Sequence, residues 1–235
     1  MAQKWTVNET FTEPNNEQHK FIAKQAFDGF VEIAEMFEHA DWLQKNAKVW
    51  KFEGEHRPTG DKCYTRVLHK NKAFVITGEL EGNLDLFEKI TWDDIEETPK
   101  WTQTVTDYKR LLTIGSHTDV IYGVTAAAVG GLVSPRDVIT ARCKRRTADS
   151  FMQGGQSVTL ASQPEVKGRV RAHDHPFVMK FTNVKEKPGH CEVVWMTNTD
   201  IKGWLPAKVV HQFVSGTMYQ YMEELRKLVA SLKKQ

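Results

Sequence analysis

The longest regular pattern of apolar and polar positions lies at the C-terminus. Val210, Phe213, Val214, Thr217, Met218, Tyr221, Leu225, Leu228, Val229 and Leu232 recur at three- and four-residue steps, which draws one broad apolar stripe along a helix. Lys208, Gln212, Gln220, Glu223, Glu224, Arg226, Lys227 and Lys233 fall on the opposite face. Pro206 suits the first turn, where a missing N–H costs nothing and its fixed φ is already helical. The pattern therefore predicts one helix from Pro206 almost to Gln235. So long a helix must lie along something apolar of similar length, either an ordinary core or an apolar cavity for which it forms the lid.

A second helical stripe is read over Gln18–Leu43, from Phe21, Ile22, Gln25, Ala26, Gly29, Phe30, Ile33, Phe37 and Ala40, after a loosely ordered arm over 1–17. Between the two helices the period changes to two. Segments 48–53, 63–69 and 72–80 alternate and are rich in β-branched and aromatic residues, with Gly54, Pro58, Gly60 and Asn71 as punctuation, so strands in hairpin succession are predicted. Asn83 is placed to cap a short helix carrying Leu84, Phe87 and Ile90, which the Thr98-Pro99 step is expected to end because the residue before proline disfavours αR. Strands follow over 104–114, 117–126, 135–145, 151–162, 169–172, 177–184 and 191–199. The order helix, strands, helix, many strands, long helix has no sustained β-α-β alternation, so the expected class is α+β with a long antiparallel sheet. No linker or repeat divides the 235 residues, and one domain over 1–235 is expected.

Composition narrows the function classes. With 40% hydrophobic residues the chain can bury a sizeable core, and a formal charge of +2 gives no ground for a nucleic-acid partner. Cys63, Cys143 and Cys191 are widely spaced and form no C-x-x-C pair, so neither a disulfide framework nor a zinc ribbon is predicted and a reducing compartment fits. The first 16 residues carry neither an apolar core nor an Arg-rich amphipathic run, so no secretory or mitochondrial address is expected. The most apolar stretch, 120–133, is too short to span a bilayer and is interrupted by glycines.

Three blocks carry a family resemblance. They are Gly131-Leu132-Val133-Ser134-Pro135-Arg136-Asp137-Val138 with Arg142 following; Lys167-Gly168-Arg169-Val170-Arg171; and Val194-Trp195 through Asp200-Ile201-Lys202-Gly203-Trp204-Leu205-Pro206 into the last helix. In order and spacing they resemble the START domain family of lipid-transfer modules, nearest to the branch of the steroidogenic acute regulatory protein and its late-endosomal sterol-binding relative, which includes insect carotenoid-binding proteins. The resemblance spans roughly residues 99–233. It implies a helix-grip fold, in which a curved antiparallel sheet wraps the C-terminal helix around an internal lipid tunnel. It also implies a non-enzymatic carrier of one isoprenoid lipid, a sterol first and a carotenoid as the alternative. Such a carrier has no cofactor beyond its lipid, touches a membrane surface transiently, and acts as a cytoplasmic monomer peripheral at membranes. A lipid sensor, or a regulatory module of a thioesterase-type system, is the further alternative.

On that expectation the ligand-binding candidates are Arg142, Gly123, Trp101, Thr125, Val138, Thr140, Trp195, Met196, Asn198, Phe213, Thr217, Met218 and Tyr221. Strand alternation puts Arg136, Val138, Thr140 and Arg142 on one face, and a hairpin closing around 130–134 would set Arg142 opposite Gly123. In the resembling proteins an acidic residue occupies the Gly123 position and faces the arginine. Here that acid is missing, so waters, another carboxylate or a ligand oxygen is expected to replace it. A free arginine beside a small glycine wall would suit a bulkier, oxygen-bearing guest. Trp195 and Thr197 share one face of their strand and Met196 and Asn198 the other, so only one pair can face the tunnel. Val129, Gly130, Gly131 and Leu132 are the expected gate, with the glycines supplying conformational freedom.

Other constellations are weaker. Arg142, Lys144, Arg145 and Arg146 with Lys167, Arg169 and Arg171 read as a solvated sheet edge or a membrane-facing patch. His173-Asp174-His175 reads as a polar turn, with no further metal ligands evident. Trp204 is expected to pack its turn. No nucleophile elbow, zincin helix, phosphate loop or dinucleotide fingerprint is present, and neither catalytic nor metal residues are predicted.

Overall fold

The computed structural model describes residues 17–38, 41–46 and 48–233. Most of the expected arm and Ala40 of the first stripe therefore lie outside the described residues. An N-terminal helix, Glu17–Ala34, leads into strands β1 Lys51–His56, β2 Asp61–Leu68 and β3 Asn71–Glu81. Short helical turns cover 84–101, and then come β4 Val105–Ile114, β5 Thr118–Thr125, β6 Arg136–Arg146 and β7 Ser150–Ser157. The short strands β8 Val170–Arg171 and β9 His173–Asp174 precede β10 Phe177–Asn183, β11 His190–Thr197 and β12 Thr199–Asp200. The C-terminal helix is Ala207–Leu232, with Pro206 one residue ahead of it as N-cap.

The main sheet runs in the order β1-β2-β3-β11-β10-β7-β6-β5-β4, with β8 parallel to β6, and a second small sheet pairs β12 with β9. Its two faces are both covered, by different helices. Ile22, Ala26, Phe30 and Ile33 of the N-terminal helix pack with Val120, Ile139, Ala141 and Met152. On the other face Phe74, Ile76, Phe181 and Val193 meet Met218, Met222, Leu225 and Val229 of the C-terminal helix. This is the α+β arrangement the periodicities predict.

Several local expectations are corrected. The first helix stops at Ala34 and continues only as a 3-10 turn to Phe37, before a separate turn at Trp42–Lys45. The break lets Phe37, Trp42 and Trp50 pack edge-on, with ring centroids 4.6 Å and 6.0 Å apart for Phe37–Trp42 and Trp42–Trp50. Asn83 caps its helix as expected, accepting from the Leu86 N–H at 2.9 Å. Thr98, however, is in αR, and Pro99 sits in the first turn of a following helix, Thr98–Trp101. Pro99 thus opens a turn where a stop was expected. The strand expected to reach Ser162 ends at Ser157.

The basic run on β6 does not lie at a sheet edge, because β6 is flanked by β5 and β7. Its cations are paired internally: Lys144 with Glu88 at 2.7 Å, Arg145 with Glu38 at 2.5 Å, and Arg146 with Asp85 at 2.7 Å. Arg171 pairs with the buried Asp137 at 2.9 Å.

Neighbouring backbones approach β7 most closely at Gly154-Gly155. A Cβ at Gly155 would lie 1.9 Å from the Ala141 carbonyl oxygen, and one at Gly154 2.2 Å from that of Phe177. Neither neighbour is a side chain that can swing away. Gly155→Ala is therefore expected to cost about 1–3 kcal/mol or more, read as a lowered denaturant midpoint; an unchanged midpoint would show that the strands can part without loss.

Candidate functional site

The C-terminal helix is held to the sheet unevenly. Arg226 donates to both oxygens of the fully buried Asp61, at 2.7 Å and 2.5 Å, and Leu225 and Val229 are buried beside it. That end is locked. Toward the N-terminus of the helix, Phe213, Val214, Thr217, Met218 and Tyr221 instead cover a cavity of about 220 Å³. A single water needs roughly 10–15 Å³ on the same measure, so this is room for a guest and no mere packing gap.

The cavity floor follows from strand alternation. Val138, Thr140 and Arg142 of β6, Ile121 and Thr125 of β5, Met179 of β10 and Trp195 and Thr197 of β11 all line it. Of the two faces offered by β11, the structure turns Trp195 and Thr197 inward. Met196 packs on the opposite face with the N-terminal helix cluster, and Asn198 donates to the Leu68 carbonyl at 3.4 Å; neither lines the cavity. Trp101 also stands behind the wall, edge-on to Tyr221 with centroids 5.1 Å apart.

Gly123 is not opposite Arg142. The register of β5 and β6 pairs Gly123 with Val138 and Asp119 with Arg142. The Tyr108 ring fills the space beside Gly123, reaching within 2.6 Å of where a Cβ would stand. Of the three expected substitutes for the missing acid, a carboxylate is the one found. Arg142 Nε donates to Asp119 Oδ1 at 2.9 Å and Nη2 to Oδ2 at 2.7 Å, while Nη1 donates to the Thr91 carbonyl and Gln153 Oε1. The guanidinium also lies 4.4 Å from the centre of the Trp92 ring. Four of its five N–H groups are engaged, so this arginine is neither exposed nor free.

A second polar cluster lines the same cavity: Thr140, one of the sequence-derived candidates, with Asp174, Thr197 and Thr199, which were not among them. His173-Asp174 forms a strand paired with Thr199-Asp200, where a turn was expected. The only sequence signal was an acid in a segment otherwise read as polar loop. Burial pushes the Asp174 carboxyl above the usual range, and it likewise raises the phenols of Tyr108 and Tyr221, which stay protonated.

Val129–Gly131 forms a 3-10 turn whose residues all have positive φ, closed by the Ala128–Val133 bridge. It packs near the C-terminal helix, leaving Leu132 exposed, and none of Val129 to Leu132 lines the cavity. Trp204 does not pack its turn but is 95% exposed, because Lys202 and Gly203, both at positive φ, swing it outward. Among the described residues no cluster of histidine, cysteine and acidic side chains is placed to hold a metal, and no helix is long and apolar enough to cross a membrane.

The START domain family matches residues 31–235. Steroidogenic acute regulatory protein, mitochondrial, from Gallus gallus is 28% identical over 207 residues, which cover 85% of this chain and 73% of that protein. The Rattus norvegicus protein of the same name is 30% identical over 199 residues, covering 84% and 69%. Human StAR-related lipid transfer protein 5 superposes with a TM-score of 0.78 at 21% identity, over 92% of this chain and 99% of that one.

Proposed function

The chain belongs to the START domain family, and we propose on that premise that it encloses one isoprenoid lipid, a sterol in the first place, and carries it between membranes without a covalent step. The observation that supports this most is the cavity itself: a void between the sheet and the N-terminal half of the C-terminal helix, walled by Ile121, Val138, Met179, Trp195, Phe213 and Met218. A guest hiding several hundred Å² of apolar surface there gains on the order of 10 kcal/mol gross at about 25 cal/mol per Å², before ordering costs. Affinity then comes from the walls, and polar groups serve to orient.

Sterol is preferred because the curated relatives are steroidogenic acute regulatory proteins. The ground for a bulkier guest weakens, since Arg142 is paired and the Gly123 space is filled by Tyr108. We place the protein in the cytoplasm as a monomer that meets membrane surfaces transiently, a setting consistent with three buried, unpaired cysteines. The deciding experiment is mass spectrometry of lipid extracted from protein purified from its own source, joined to a donor-to-acceptor liposome assay. Co-purified sterol and transfer well above the spontaneous rate are expected. A protein that carries no lipid and speeds no transfer would end this reading, whereas a coloured extract would reassign the cargo to a carotenoid.

Guest entry requires a wall that moves, and the 129–132 turn beside the C-terminal helix is the proposed gate. An engineered disulfide joining that turn to the helix is expected to slow lipid exchange about tenfold or more, with recovery on reduction. Undiminished transfer in the oxidised form would remove the gate from the account.

A further inference from the structure

Resting on the lipid-carrier reading of the cavity, we propose that Asp174 is a specificity-determining acceptor that selects an isoprenoid alcohol over the corresponding ketone or ester. The argument follows the hydrogens. Thr199 Oγ1 donates to Asp174 Oδ1 at 2.6 Å and Thr140 Oγ1 to Oδ2 at 3.2 Å. Thr197 and Thr199 hydroxyls lie 2.9 Å apart. Because the Thr199 hydrogen is already committed to the carboxylate, Thr197 is the donor in that contact. Two threonine hydrogens thus run into one carboxylate and a third into the Thr199 oxygen behind it, and all four side chains line the cavity.

What this cluster still offers a guest is lone pairs. In its ionised form, which the two threonine hydrogen bonds favour, the carboxylate has about four acceptor sites, and two are used here. Among the described residues no cation stands within ion-pair distance of Asp174, unlike Asp119 with Arg142, Asp137 with Arg171 or Asp61 with Arg226. Burial raises this carboxyl against the opposing pull of the two threonine hydrogen bonds and of His173, and a ligand O–H would add a further partner to its ionised form. A keto or ester oxygen only accepts, and against this cluster it would meet acceptors. The competing donors along the cavity are the spare Nη2 hydrogen of Arg142, two positions along β6 from Thr140, and the protonated phenols of Tyr108 and Tyr221.

The test measures binding of cholesterol and its 3-keto counterpart, and of a dihydroxy carotenoid and its hydrocarbon parent, to the wild-type protein and to Asp174→Asn. The wild type is expected to prefer the alcohol of the pair it binds by about tenfold or more. The asparagine amide both accepts and donates, so Asp174→Asn is expected to bring the sterol pair within about threefold, chiefly by tighter ketone binding. Equal wild-type affinity for alcohol and ketone overturns the proposal without any variant. So does a variant that weakens both ligands alike, the mark of a merely structural role, or one that leaves the ratio unchanged. If the wild type binds no member of either pair, the isoprenoid reading itself falls, and this assignment with it.

Discussion

Replacing Asp119 with alanine is expected to destabilise the protein by about 3–5 kcal/mol, because it strands a guanidinium in the interior. Arg142 and Asp119 are 3% and 1% exposed, so bulk solvent does not reach the pair, and waters in the adjoining cavity would solvate the guanidinium without neutralising it. The Thr91 carbonyl and Gln153 would still accept from Nη1, but they are neutral and leave the charge uncompensated. Arg110 would also lose its 3.1 Å contact with Asp119. Removing both charges should be milder: Asp119→Ala with Arg142→Met is expected to recover part of the loss, since an apolar pair at a buried site is often as stable as the ion pair it replaces. Denaturant unfolding of the four proteins closes the cycle. A loss below about 1 kcal/mol for Asp119→Ala, or strict additivity of the two changes, would show that the pair is not the electrostatic unit the geometry describes.

That pair also shows where sequence reasoning stops. Faces are local: alternation alone puts Val138, Thr140 and Arg142 on one side of β6, and the helical stripe alone turns Phe213, Met218 and Tyr221 inward, as the cavity lining has them. Register is not local. Centring the hairpin on 130–134 made Gly123 the partner of Arg142, whereas the turn at Val129–Leu132 makes it Asp119. Moving the centre by two residues moves the partner by four, and an even slip leaves every face unchanged. The lining therefore survived an error that misplaced its ion pair. Gly130-Gly131 signal a turn, but the β-branched Val129 at positive φ ahead of them has no sequence signature, so the turn's centre is not fixed by its residues. The internal pairing of the β6 cations was hidden for a related reason, because a strand's neighbours in the sheet depend on topology and not on its own residues. Asp174 was hardest to see: its role depends on Thr140 and Thr199, which lie 34 and 25 residues away.

The second large effect separates a hollow interior from a solid one by its sign. Val138 is half-buried in the middle of the sheet, between Ile139 and Asp137, and lines the cavity. Val138→Phe keeps an apolar side chain with good strand propensity and extends a ring into the void. In a close-packed core such an enlargement costs about 1–3 kcal/mol. In an empty cavity it restores contacts, at about 0.2 kcal/mol for each 10 Å³ filled. The unliganded variant is therefore expected to unfold at an equal or higher denaturant concentration than wild type. Its affinity for sterol should fall about tenfold or more, because the ring occupies the guest's volume. Both results are needed together. A destabilised variant that still binds lipid would place the guest elsewhere, and the space between sheet and helix would lose its claim to be the site.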